Sequence, residues 1–249
     1  ISSELRLKIE RLLNYMFQRG FYSEAPWLVY LSPRLAGISK VRALRETIML
    51  LRLVYEKSDA REISDPKWLN TLLEVIEEEL ETSGVVVLTS EFKYYVDLLI
   101  KECADTLMDI VRLIAKGKSD NDILPRLIAD HKFFSFECLT GKWMMFTRAS
   151  TAPRLLRDII GALEERKVAY QAKITGDPAE YQNNARTPII VYSPSTLAPK
   201  YIVEVLQVLR EIRDKYGMRE KLYFKPDLFT RKNIYCGSGK IKPYIYLYH

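Results

Sequence analysis

The chain has 249 residues, 48% of them apolar and 28% charged, with ten Gly and eleven Pro. That length allows one large domain or two smaller ones, and the composition excludes gross disorder and collagen-like repetition. The net charge is +6, and no apolar run reaches the roughly 20 residues that a membrane span needs. Nothing at Ile1 reads as a signal peptide, and the absent initiating Met fits a processed form or a fragment.

The first half reads as helices. Leu5, Ile9, Leu12, Leu13, Met16 and Phe17 recur at helical spacing, with Gly20 as a stop. Trp27–Leu31, between Pro26 and Pro33, reads as a short strand or a buried loop. Val41, Leu44, Ile48, Leu51 and Tyr55 form a second stripe. Asp65-Pro66 is a cap and first-turn signal for a third helix, with Trp68, Leu72, Ile76 and Leu80 on one face. Its run of Glu74, Glu77, Glu78, Glu79 and Glu81 reads as a solvated face. Val85–Leu88 is again a strand or a buried loop. Ser90 opens a long helix that ends near Gly117, and a short helix covers 123–129.

From Lys142 the period changes. Strands are expected over 142–147, 168–174, 189–192 and 222–224, and alternation over 241–248 adds another. Helices are expected from Pro153 and over 199–216, with a polar loop over 177–186. The expected fold is α+β: a helical region, 1–132, followed by a basic domain, 133–249. That domain has the order β-α-β-β-α-β-β, a mixed or antiparallel sheet backed by two helices.

The charge is uneven. Residues 133–249 carry 19 Lys and Arg against 11 Asp and Glu, whereas 1–132 carry 19 against 21. A basic second half favours polyanionic partners. The aromatic and basic residues of 223–235 interleave, with Lys225, Arg231 and Lys232 among Tyr223, Phe224, Phe229 and Tyr235. That composition suits base stacking with phosphate contact, or else a strand, a turn and core rings. Trp143 is either core or a stacking plate. Lys173 either snorkels to solvent or binds phosphate in a pocket. The ligand-binding set is therefore Lys142, Trp143, Lys173, Tyr192, Lys225, Asp227, Arg231, Lys232 and Tyr235.

Other chemistry is thinly represented. Phosphate-loop and dinucleotide motifs are absent, and no cofactor is implied. Gly237–Lys240 reads as a hairpin turn, with a phosphate cradle as the other reading. Two histidines, His131 and His249, make a metal cluster improbable. Cys103, Cys138 and Cys236 are odd in number and far apart, which suits buried thiols in a reducing, cytoplasmic setting.

The series Gly141–Phe146, Ala172–Ile174, Ile189–Tyr192, Leu222–Thr230, Ile234-Tyr235 and Lys242–Tyr246 resembles the uncharacterised basophilic-leukaemia-expressed protein family over 137–249. The resemblance implies a fold similar to that of the cap-binding translation initiation factor 4E. It would pair Trp143 with Tyr170, Tyr181 or Tyr192 around a base. Related archaeal sequences are labelled phosphothreonine lyases, which would make Lys173 a base.

Three functions are thus expected in competition. One is RNA or nucleotide binding on a basic, aromatic-lined face, with the helical half serving interaction or self-association. Another is a lyase-like or other lysine-dependent enzyme acting on a phosphorylated substrate. The third is a protein-interaction scaffold.

Overall fold

Asp65 starts its helix as the sequence requires: its Oδ1 accepts from the Lys67 N–H at 2.8 Å, and Pro66 fills the first turn. The computed structural model describes residues 21–24, 27–129, 138–237 and 239–249. The helix expected over 5–17 and His131 lie outside these residues.

In chain order the elements are strands β1 (Phe21–Glu24) and β2 (Trp27–Leu31), helices α1 (Pro33–Ser58) and α2 (Pro66–Leu80), and the two-residue strand β3 (Val86–Val87). Helices α3 (Thr89–Ala115) and α4 (Asp120–Ala129) follow. Then come β4 (Gly141–Arg148), α5 (Ala152–Arg166), β5 (Gln171–Thr175), α6 (Pro178–Gln182), β6 (Arg186–Ser193), α7 (Pro199–Lys215), β7 (Leu222–Pro226), α8 (Asp227–Arg231) and β8 (Tyr246–Tyr248). The architecture is α+β, and the order from β4 onward agrees with the expected β-α-β-β-α-β-β once the one-turn helices α6 and α8 are set aside. Among the described residues no helix is long and apolar enough to cross a membrane.

The chain divides into two compact units. The first holds the described residues up to Ser39, with Trp143–Tyr192 and Glu204–Leu222. Its strands run in the order β1-β2-β5-β6-β4. The β1/β2, β2/β5 and β5/β6 pairs are antiparallel, with Val29 opposite Lys173 and Lys173 opposite Ile190. The ambiguous 27–31 run is therefore a strand, and its partner is 171–175. Helix α5 packs on β5 and buries Leu155, Leu156, Ile159 and Leu163. The strand expected from 168 begins only at Gln171, because Lys167 and Ala169 take positive φ (54° and 60°) to turn the chain out of α5. In the loop expected over 177–186, the Asp177 carboxylate accepts from the Ala179 N–H and starts α6.

The second unit holds Lys40–Lys142, Ser193–Val203 and Tyr223–His249. Helices α2 and α3 pack together, and Trp68, Leu72, Ile76, Leu80, Phe92 and Leu99 are buried. Strands β7, β8 and β3 are neighbours in that order, with β3 antiparallel to β8. The long helix starts at Thr89 without a side-chain cap, rather than on Ser90. Helix α4 starts upstream of Ile123, where the Ser119 N–H and hydroxyl both donate to the Asp122 carboxylate, at 3.0 and 2.7 Å.

The alternation expected over 241–248 fails at Tyr246. Only 246–248 is strand, and Tyr246 is buried because its hydroxyl donates to the Thr196 carbonyl at 2.9 Å. Gly141 is needed where β4 begins: a Cβ there would lie 2.5 Å from Phe224 Cε1 and 3.1 Å from Thr196 Oγ1. Gly141→Ala is expected to cost about 1–3 kcal/mol through overpacking, read as a lower urea midpoint with an unchanged slope.

Candidate functional site

The aromatic residues expected on a binding face form a core instead. In the second unit Phe92, Tyr95, Phe224, Phe229 and Tyr246 are buried and touch one another. Phe224 and Tyr246 have ring centroids 5.4 Å apart, Phe92 and Tyr246 6.2 Å, and Tyr95 and Phe229 6.3 Å. Edge and tilted contacts of this kind are what buried rings favour. Tyr235 is 49% exposed, and Tyr192 and Tyr223 are half-buried. In the first unit Trp143 has no exposed surface at all, which removes it as a stacking plate. An aromatic-lined face for nucleic acid, and a cap sandwich built on Trp143, are both excluded by this burial.

The basic residues are also engaged. Lys142 donates to Asp227 at 2.6 Å and to Thr230 Oγ1 at 3.2 Å, and the Lys142 and Asp227 side chains are only 10% and 8% exposed. Asp227 is brought there by the β7–α8 corner, whose backbone is fixed by its own N–H donating to the Thr140 carbonyl. Lys225 donates to the Ile234 carbonyl at 2.7 Å and sits 4.0 Å from the centre of the Tyr235 ring. Burial first, and the Lys142 charge second, push the Lys225 ammonium down to about 8. Lys232 and Arg231 both pair with Glu102 of α3, and the Lys232 hydrogen bond holds that carboxyl below its usual range.

In the first unit the same economy holds. Arg166 pairs with Glu211, and Lys215 and Arg157 with Asp158. Lys142, Arg231 and Lys232 are thus matched by acids and Lys225 is buried, whereas Arg148, Arg186, Arg219, Lys221, Lys240 and Lys242 stay exposed. Lys173 lies 4.5 Å from the Trp27 ring centre and 5.4 Å from that of Tyr192, a ring-lined cation position. The unit that contains Lys173 has no histidine. A lyase with Lys173 as base would also need a histidine as acid, and that unit does not supply one. The structure brings six of the nine predicted residues into the second unit, as Lys142–Asp227, Lys225–Tyr235 and Arg231/Lys232 on Glu102. It leaves Lys173 and Tyr192 together in the first unit and Trp143 in its core.

Helix α2 carries an exposed acidic stripe. Glu74, Glu77, Glu78 and Glu81 recur at helical spacing on one face of α2 and the turn after it, and all four are exposed. Lys57 pairs with Glu78 at 2.8 Å; among the described residues none pairs with Glu74, Glu77 or Glu81. Beside the stripe lies an open depression of about 360 Å³, lined by these four carboxylates and by Val85 and Val87. Strand β3 ends the strand series of this unit, so it pairs with β8 on one side only, and Val86 is 45% exposed. Around α2 a second depression of about 240 Å³ is lined by Met49, Leu50 and Leu53, with Glu46, Glu79, Pro199 and Lys200 at its rim. Met49 is 54% exposed. Glu46 accepts from the Lys200 and Tyr201 N–H groups at the start of α7. The sequence marked the glutamates as surface; the valines and the methionine beside them come together only in the fold.

Among the described residues no group of three or more His, Cys, Asp and Glu could hold a metal ion. Residues 129–233 match the family model described as Basophilic leukemia-expressed protein Bles03. No curated protein matches the chain. The matched segment contains Lys142, Lys225, Asp227, Arg231 and Lys232 and stops before Tyr235; the acidic face of α2 lies outside it.

The Lys142–Asp227 pair yields a double-mutant test. Asp227→Leu leaves a buried ammonium without its carboxylate and is expected to cost about 3–5 kcal/mol. Adding Lys142→Met removes the orphaned charge and is expected to restore most of that loss in urea unfolding. Additive losses in the double variant would show that the two groups act independently.

Proposed function

We propose that this chain is a protein-interaction module whose helical part docks a basic segment carrying apolar side chains. The observation that carries this reading is the exposed Glu74, Glu77, Glu78 and Glu81 stripe beside the Val85 and Val87 depression. Carboxylates in a row supply steering and orientation for Lys and Arg. The adjoining apolar floor supplies the contact area that exposed ion pairs alone do not, since each such pair contributes about 0–1 kcal/mol. The open side of β3 adds backbone N–H and C=O groups that an extended partner segment can use. The same charge repels phosphate. A cytoplasmic setting belongs to this reading, supported by three cysteines that are all in the thiol form.

The test is fluorescence anisotropy of the full chain with a labelled peptide alternating Lys and Val, against a Glu and Val control. Binding of the Lys peptide alone is expected. It should weaken with added salt and be lost in the Glu77→Lys/Glu81→Lys variant. Equal binding of both peptides, or no change in the charge-reversed variant, would contradict the proposal.

A further inference from the structure

Cys103 and Cys138 are far apart in sequence and meet in the second unit. Cys103 interrupts α3, with φ −134° and ψ 28° inside an otherwise helical run. Cys138 belongs to the short segment that leads into β4, and the Tyr95 hydroxyl fixes its carbonyl at 3.0 Å. The two thiols are hydrogen-bonded to each other, both are buried, and Arg231 Nη1 lies 4.0 Å from Cys138 Sγ. Arg231 is oriented in turn by Glu102, one residue before Cys103, at 3.5 Å. The Cys103 hydrogen bond, acting against burial, and then the Arg231 charge hold the Cys138 thiol below the ordinary cysteine range. Cys236 is exposed and outside this cluster.

We propose that Cys138 and Cys103 form a two-electron redox pair that hydrogen peroxide oxidises to a disulfide. The Cys138 thiolate attacks one peroxide oxygen and the O–O bond breaks. Cys138 becomes a sulfenic acid, and hydroxide leaves to be protonated to water. The Cys103 sulfur then attacks the Cys138 sulfur. The S–O bond breaks, the Cys103 proton leaves with the hydroxyl as a second water, and the disulfide forms. Two thiols are oxidised by two electrons and one peroxide is reduced to two waters. A disulfide needs the sulfurs at about 2.05 Å, a short approach from hydrogen-bond contact. The product ties α3 to the segment entering β4. A buried pair beside an arginine differs in this from an inert core thiol, whose neighbours neither lower its proton affinity nor resolve its oxidised form.

The experiment treats the reduced full chain with hydrogen peroxide, blocks remaining thiols with N-ethylmaleimide and maps peptides by mass without reduction. A linked Cys103–Cys138 peptide, with Cys236 alkylated, is the expected result, and dithiothreitol should return it to two thiols. In Cys103→Ser the Cys138 sulfenic acid should persist and be trapped by dimedone, and in Arg231→Met oxidation should slow several-fold. Oxidation of Cys236 while both buried cysteines are recovered alkylated would overturn the proposal. So would conversion of Cys138 to sulfinic acid without any linked peptide in the wild-type chain.

Discussion

Lys142 gives its ammonium to Asp227 with both side chains almost wholly out of water. An ammonium in that position cannot stand alone, because desolvation costs several kcal/mol unless a carboxylate and further acceptors meet it. Much of the second unit follows from that requirement. The β7–α8 corner delivers Asp227, and α8 delivers Thr230 to the same nitrogen. The same corner puts Phe224 and Phe229 into the aromatic core. Lys225, crowded by Lys142, turns to a backbone carbonyl and the Tyr235 ring. Residues with the composition of a nucleic-acid face are thereby committed to holding a strand, a corner and a one-turn helix together.

The consequence for function is a reversal of sign. With Lys142, Lys225, Arg231 and Lys232 buried or matched, the exposed charge beside the Val85 and Val87 depression is that of Glu74, Glu77, Glu78 and Glu81. A basic chain by composition can in this way present an acidic docking surface, because a net count does not distinguish a charge spent inside from one presented to solvent.

Local signals are legible in the sequence. The Asp65-Pro66 cap, the stripe from Trp68 to Leu80 and the element order after Gly141 all depend on neighbours within a turn or two, and all appear in the structure. Features decided by distant partners were not legible. Residues 27–31 were ambiguous because their strand partner is 171–175. The 241–248 alternation misled because the Tyr246 hydroxyl finds its acceptor at Thr196. The stretch from Tyr223 to Tyr235 could be a face or a core on composition alone. Lys142 and Asp227 decide it, and their pairing is not visible in either segment. Cys103 and Cys138 carry no spacing signal of any kind.

An acidic docking face requires that a basic partner segment land on α2 and β3. Hydrogen–deuterium exchange of the full chain with and without the Lys and Val peptide measures that directly. Slower exchange confined to peptides spanning 74–87 is the result this account predicts. Protection over 223–235 with none over 74–87 would contradict it, because binding would then involve the residues assigned here to the buried ion pair and the aromatic core.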